Sequence, residues 1–335
     1  MRDARNEPPR DVRGGPSRDR LNEPPRDGPS EPLRDGPSEP PRDVPDVREP
    51  VAADDAELRS PAGDGGLMEV VHHRYLLKLL LRRELKARYK GSLLGLGWSY
   101  VRPAVNFAVF YFVVGVFMGM DKVIKDFPIY LFSGLVLVTL FTETLQAATR
   151  SVLHNAPLVR KVYLPRELFP SASLLVSLVH FVPALAILVV GALGYGWRPT
   201  PLGLAGAVVG LLIVILLALG LGLLCAAATV FFHDVEQVVD IVMITVSWTV
   251  PMVYPWIHVR DHAPHWVLQV WQLNPLVSAV ELFHRAFWAP LSDGRVPEPP
   301  ALTARTASAL GCALMFFFIG EAVFARLQKR FAQEM

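Results

Sequence analysis

Long uncharged runs dominate residues 67–335 and are separated by short segments that hold most of the charges. An α-helix rises about 1.5 Å per residue, so about 20 apolar residues cross a hydrocarbon core of about 30 Å. The pattern therefore predicts an all-α integral membrane protein and excludes a soluble enzyme. Six runs with at most one acidic residue each predict six transmembrane helices: Pro103–Met120, Phe127–Thr149, Leu168–Trp197, Pro199–Phe232, Val238–Ile257 and Thr306–Ala325.

Residues 1–66 follow a different pattern, a degenerate octapeptide repeat in which Arg-Asp recurs every eight residues. The segment has 13 Pro, 11 basic and 16 acidic residues and no aromatic residue. Proline removes backbone donors, and so little apolar surface cannot support a core. We therefore predict a disordered tail, which is either a tolerated extension or a segment that binds a partner.

The basic residues in the short flanks predict the orientation, because cytoplasmic flanks are enriched in Lys and Arg. The runs before span one, between spans two and three, and after the last span are basic, whereas the opposite flanks carry fewer cations. This asymmetry predicts a multi-pass protein of the cytoplasmic membrane with both termini in the cytoplasm. The longest loop, from His258 to Arg305, is then outside.

An amphipathic pattern precedes the first span, from Tyr75 to Lys90. On a helical wheel, basic residues gather on one side and leucines on the other, which is typical of a helix on the anionic cytoplasmic leaflet. We assign residues 67–100 to this interfacial helix and residues 101–335 to the transmembrane domain. The basic side comprises Lys78, Arg82, Arg83, Lys86 and Lys90.

Prolines bracket a short segment, Leu158 to Leu164, between spans two and three. Proline favours the start of a helix and ends one that precedes it. The segment predicts a short cytoplasmic helix that could dock on a partner, although an ordinary basic loop explains its composition equally well.

Aromatic residues crowd the outer loop from Pro255 to Pro290. The run Leu276–Trp288 is too short and too polar to span, so it predicts a helix at or dipping into the outer interface. Its rings suit either an aromatic belt or stacking on sugars.

Motifs for nucleotide or metal chemistry are missing from the sequence. There is no Gly-x-x-x-x-Gly-Lys, since no lysine follows a glycine, and no acidic or His/Cys cluster lies at a span end. Cys225 and Cys312 lie in apolar runs, and we interpret them as small hydrophobic packing residues. We therefore expect no catalytic, cofactor-binding or metal-binding residue, and no nucleic-acid partner.

The sequence RELKARYKGSLLGLGW from Arg83 to Trp98, followed by Pro103, resembles the opening of polysaccharide-exporting type-2 ABC transporter permeases. These are the channel subunits that export O-antigen, teichoic acid and galactan precursors. The resemblance continues through Leu158–Pro165, Pro251–Pro255 and Asn274-Pro275-Leu276, and covers about residues 69–335.

The resemblance implies a homodimeric permease that moves a lipid-linked polysaccharide or cell-wall glycan and binds a separate ATP-binding subunit. ATP and Mg would be held by that partner, with no cofactor in this chain. The implied ATPase-coupling residues are Arg82, Arg83, Lys86, Leu158, Val159, Arg160, Lys161 and Tyr163. The implied channel-lining residues are Phe107, Phe110, Tyr111, Phe112, Trp248 and Tyr254.

Two other functions remain open at this point: a type-2 permease for a drug or lipid, and a membrane-bound glycan-modifying enzyme. The motif after Arg83 and the aromatic outer loop argue against the first. The lack of clustered acidic or histidine residues at the outer span ends argues against the second.

Overall fold

The computed structural model of the chain describes residues 67, 70, 72–93, 95–161, 164–292 and 299–331. Within these residues all regular secondary structure is helical, which confirms the all-α prediction. The predicted tail, residues 1–66, lies outside the described residues and stays a prediction.

The helices follow the order of the apolar runs. They are α1 (Arg74–Tyr89), α2 (Trp98–Phe110, continued by a π-helix at Tyr111–Phe117), α3 (Met120–Val123), α4 (Phe127–His154), α5 (Ala156–Lys161), α6 (Leu168–Gly194), α7 (Pro201–Phe231), α8 (Val235–Thr249), α9 (Trp256–His262), α10 (His265–Leu273), α11 (Pro275–Phe283, continued by a π-helix at His284–Trp288) and α12 (Leu302–Leu327).

Five helices among the described residues are long and apolar enough to cross a membrane: α2 with its π-helix, α4, α6, α7 and α12. Each coincides with one of the six predicted spans. The remaining predicted span, Val238–Ile257, contains only part of α8, whose 15 residues reach about 22 Å. Pro251 ends this helix, because proline cannot donate a hydrogen bond to the preceding turn and disfavours helical backbone at Val250. A sixth crossing stays a prediction.

The centre of the bundle is formed by α4 and α7. Nearly every side chain of α4 from Phe127 to Val138 is buried, and α4 packs against α6, α7, α8 and α11. In turn, α7 packs against α4, α11 and α12. Because α4 is enclosed by protein on several sides, its polar residues can serve as fixed partners for the surrounding helices.

A close contact between two backbones joins α7 to α12. A Cβ atom built on Gly320 would lie 2.0 Å from the carbonyl oxygen of Gly220, and one built on Gly220 would lie 2.5 Å from the Cα of Phe317. Small residues at such crossings let two backbones approach closely in a membrane protein. These two glycines therefore fix the position of α12.

Helix α11 lies in the run Leu276–Trp288, where a helix was predicted, and packs inside the bundle at the end opposite α1. Its place at the outer interface stays a prediction. Its residues from Leu276 to Phe283 are all buried. The Asn274 side chain caps the helix by accepting a hydrogen bond from the backbone N–H of Leu276 (3.0 Å). The Trp197 indole N–H donates to the carbonyl of Ala286 (2.8 Å), which ties α11 to the end of α6.

Candidate functional site

The apolar side of α1 packs against protein at the start of α6. Leu80 is buried with Leu168, Phe169 and Ala172, and Leu76 and Leu77 pack at the edge of this cluster. The position of α1 along the leaflet stays a prediction. Within the structure, Leu76, Leu77 and Leu80 pack against protein, whereas Leu79 is 54% exposed. Burial of this stripe positions α1 relative to the spans.

Helix α5 joins the same cluster. Leu158 and Val159 pack against it beside Leu164. The helix runs from Ala156 to Lys161, two residues earlier than the predicted Leu158 start, and Pro157 lies in its first turn, where a missing N–H costs nothing. We call α1 and α5 together the coupling surface.

A hydrogen bond connects the two parts of the coupling surface. The guanidinium Nη1 of Arg83 donates to Oδ1 of Asn155 (3.0 Å), the residue between α4 and α5. The amide of Asn155 donates to the carbonyl of Ser151 (3.0 Å) in α4. Arg83 is therefore tied to the helix junction, whereas Arg82 and Lys86 are exposed beside a shallow groove on α1.

Five of the eight implied coupling residues lie on this surface. Leu158 and Val159 pack in its apolar cluster, Arg83 binds the helix junction, and Arg82 and Lys86 are on the exposed side of α1. Arg160 and Lys161 end α5, but their side chains lie outside the described part of the chain, as does Tyr163. The role of all these residues stays a prediction.

Five of the six implied channel-lining residues lie on α2, its π-helix or α8, and Tyr254 follows α8. The rings of Phe110 and Trp248 meet edge to face, with 6.1 Å between centroids. Trp248 is 58% exposed and Phe112 is 54% exposed. These three residues border open space and could contact a substrate.

The other three implied channel residues have partners inside the protein. Phe107 stacks on Tyr111 and meets Phe132 of α4, while Tyr111 stacks on Phe127. The Tyr254 hydroxyl donates to the carbonyls of Trp248 (2.9 Å) and Thr249 (3.0 Å). These rings are half-buried and pack α2 against its neighbours. We therefore expect them to support the exposed rings more than to contact a substrate.

An open cavity of about 420 Å³ lies between α2 and α8, with α4 as its floor. Apolar groups dominate its lining, and a few polar side chains, including Asn106, Thr139 and Ser247, face it. Ligand sites usually combine an apolar lining with a few polar groups. This cavity and the exposed rings beside it form our candidate transport path.

An ionic cluster that the sequence analysis missed, here called the polar clamp, joins α4 to α8. Arg150 pairs through Nε with Glu236 (3.2 Å) and through Nη2 with Asp240 (2.5 Å). Gln146 also donates to Asp240 (3.2 Å). The available signal was spacing: the two α4 residues and the two α8 residues are each four apart, so each pair shares a helix face.

We predict that the polar clamp contributes measurable coupling between α4 and α8. Arg150→Gln should lower the free energy of unfolding by about 1 kcal/mol, since its side chain and those of its partners are about one-third exposed. In a double-mutant cycle with Asp240→Asn, measured by thermal unfolding in detergent, the two losses should not add. If the two losses of unfolding free energy add exactly, Arg150 and Asp240 do not interact and the clamp is contradicted.

The aromatic loop has a structural role. Trp256, Trp271, Phe283, Phe287 and Trp288 are buried within the chain, and the Trp271 indole donates to the carbonyl of Thr249 (2.6 Å). Trp266, at 68% exposed, lies outside this packing. Most of these rings are therefore not available to stack on sugars, which favours packing over sugar binding.

Comparison with known proteins gives the family. The family model described as ABC-2 type transporter matches residues 75–288. The O-antigen export system permease protein RfbA of Myxococcus xanthus is 27% identical over 267 residues, covering 80% of this chain and 98% of the relative. The protein of the same name from Klebsiella pneumoniae is 22% identical, covering 77% of this chain and 94% of the relative.

A third relative is the polysialic acid transport protein KpsM of Escherichia coli, 23% identical over 63% of this chain and 80% of the relative. The matched segment runs from the second residue of α1 to the end of the π-helix after α11, so it includes α5 of the coupling surface and both walls of the candidate transport path. The chain therefore belongs to the ABC-2 type transporter family.

Proposed function

We propose that this chain is the membrane permease subunit of an ATP-driven exporter that moves a lipid-linked polysaccharide or cell-wall glycan across the cytoplasmic membrane. Two findings support this proposal: membership in the ABC-2 type transporter family, and relatives named for O-antigen export and polysialic acid transport. The coverage of 98% of the Myxococcus relative carries the most weight, because it leaves little of that protein without a counterpart here.

The energy source is proposed to be a separate ATP-binding subunit. The sequence has no Gly-x-x-x-x-Gly-Lys motif, which supports placing ATP hydrolysis on a second protein. The coupling surface supports this assignment, because α1 and α5 pack as one unit at one end of the bundle and expose Arg82 and Lys86. ATP and Mg would be bound by the partner.

In this mechanism, closure of the ATP-bound partner moves the coupling surface, and the bundle shifts between a closed and a conducting state. Such a shift requires the partner to bind the two states with different affinity. The polar clamp and the Phe110–Trp248 contact lie at the α4–α8 and α2–α8 junctions, where a relative movement would open or close the path. A second copy would complete the channel, with both termini in the cytoplasm.

The direct test is purification of the full chain with its co-eluting ATPase, followed by ATP hydrolysis and glycan transfer in liposomes. We expect the complex to hydrolyse ATP faster when the lipid-linked glycan is present. Hydrolysis or glycan transfer by this chain without a second subunit would contradict the proposal.

Trp248 provides a test of the transport path. We predict that Trp248→Ala slows glycan export about tenfold with little change in protein abundance, because this exposed ring makes few contacts that fold the chain. Trp271→Ala is the matched control. It removes a buried tryptophan that donates to the carbonyl of Thr249, so it should destabilise the protein by about 3 kcal/mol or more. Export by Trp248→Ala at the wild-type rate would remove Trp248 from the path.

A further inference from the structure

Four helices meet at the imidazole of His180 in α6, whose side chain is 11% exposed. Its Nε2 lies 2.9 Å from the hydroxyl of Tyr89 in the last turn of α1. That hydroxyl is 2.7 Å from Oγ of Ser99 at the start of α2. On the other side of the ring, Glu143 of α4 approaches Nδ1. One side chain therefore connects the end of α1 with three neighbouring helices.

The Nδ1 atom has two partners that it cannot bond at the same time. Nη1 of Arg88 lies 3.2 Å away, and Oε2 of Glu143 lies 3.3 Å away. A guanidinium only donates, so a bond to Arg88 requires a lone pair on Nδ1. An ionised carboxylate only accepts, so a bond to Glu143 requires a hydrogen on Nδ1.

Two arrangements follow. In the first, Nδ1 accepts from Arg88, Nε2 donates to Tyr89, and the Tyr89 hydroxyl donates to Ser99. In the second, Nδ1 donates to Glu143 and Arg88 is released from the ring. Adding a proton to the imidazole selects the second arrangement, because the charged ring attracts the carboxylate and repels the guanidinium.

The charged groups around the ring support this direction. The described side chains that line the cavity of about 300 Å³ beside His180 include Arg88 and Tyr89 from α1 and Glu143 from α4. From α2 they include Trp98, Ser99 and Pro103, which carry no charge, and α6 itself adds Ser177 and Phe181. The competition at Nδ1 is therefore between one cation on α1 and one anion on α4.

The position of this exchange gives it a mechanical consequence. The middle of α1 is fixed by Leu80 in its apolar cluster and by the Arg83–Asn155 bond. Arg88 is five residues beyond Arg83, in the last turn of α1. The partner chosen by Nδ1 thus decides whether Arg88 adds a second bond between the end of α1 and α6, beside the Tyr89–Nε2 bond that both arrangements keep.

We propose that His180 is a positioning residue for transport: it exchanges Arg88 for Glu143 at Nδ1 and so couples movement of α1 to α4 and α6. This inference rests on the proposed function, in which the ATPase moves α1. It identifies His180 as a link between the coupling surface and the bundle. The partner of Nδ1, and with it the position of Arg88, would respond to protonation of the ring.

The first experiment needs neither ATPase nor glycan. Spin labels are placed on the purified full chain at Lys90→Cys and Val190→Cys, with Cys225 and Cys312 replaced by alanine. Because protonation of the ring moves Nδ1 from Arg88 to Glu143, we expect the distance distribution to change when the sample is acidified. His180→Gln cannot take up the proton and should abolish the shift, whereas the Ser177→Ala control should keep it. A shift that persists in His180→Gln, or none in the parent protein, overturns the proposal.

The second experiment measures coupling in the liposome complex with its ATPase. His180→Leu should lower the glycan exported per ATP hydrolysed about tenfold, while ATP hydrolysis and ATPase association persist. Ser177→Ala, whose hydroxyl bonds only within α6 to Ser173 among the contacts described, should export normally. A wild-type ratio in His180→Leu overturns the inference. Failure of the wild-type complex to export instead contradicts the proposed function, and the labelling experiment still decides on His180.

Discussion

Replacing Gly320 by leucine is expected to remove most of the folded protein from the membrane. The added side chain would occupy the space of the Gly220 carbonyl oxygen, 2.0 Å from the new Cβ, and backbone on a buried helix cannot rotate away. Helices α7 and α12 would have to separate, with a loss of about 3 kcal/mol or more. Protein abundance in membranes and the thermal unfolding midpoint in detergent measure this effect.

Gly311→Leu is the matched control, since it makes the same change on α12 about two and a half turns earlier. A Cβ at Gly311 has no heavy atom within 4 Å among the contacts considered, so the leucine side chain meets open space. Abundance and unfolding midpoint should stay near wild type. Equal behaviour of the two variants would mean that the α7–α12 crossing is not as close as described.

Reversing two charges on α1 is expected to disrupt binding of the ATPase. Arg82 and Lys86 are four residues apart, exposed, and on the side of α1 away from its buried leucine. If this side contacts the partner, Arg82→Glu with Lys86→Glu should weaken co-purification by at least about tenfold, because like charges at an interface cost several kcal/mol. Quantitative recovery of the ATPase with tagged permease measures the effect.

Lys122→Glu with Arg198→Glu provides the charge-matched control. Both residues are exposed, and both lie at the end of the bundle opposite α1, Lys122 in α3 and Arg198 after α6. The net charge changes by the same amount, so a general effect of charge would appear in both variants. Loss of the ATPase in both, or in neither, would argue against a binding role for α1.

The positions of the helices could be predicted well because length and hydropathy are strong local signals. Long apolar stretches such as Leu168–Gly194 and Pro201–Phe231 can form little other than buried or membrane-spanning helices. The run Val238–Ile257 was harder to interpret, since its composition suits a span while Pro251 stops the helix at Thr249. Hydropathy averaged over a window does not register where a helix is interrupted.

The coupling surface could be predicted in part. Charge periodicity located the basic side of α1, and flanking prolines located α5, but the Arg83–Asn155 bond joins residues 72 positions apart and no local pattern encodes it. The implied channel-lining residues fall into an exposed and a half-buried group for a similar reason. Trp248 and Tyr254 look equivalent as aromatics near the end of a span, yet one is exposed and the other binds backbone carbonyls.

Sequence alone determined that this protein is helical, crosses a membrane, carries basic amphipathic and proline-bounded segments beside its spans, and contains no P-loop. These properties depend on local composition and periodicity, which each segment carries by itself. Only the tertiary structure decided that Gly220 meets Gly320, that Arg150 clamps α8, and that His180 lies between Arg88 and Glu143. Such contacts depend on how helices rotate and cross, and side-chain packing between distant segments sets that geometry.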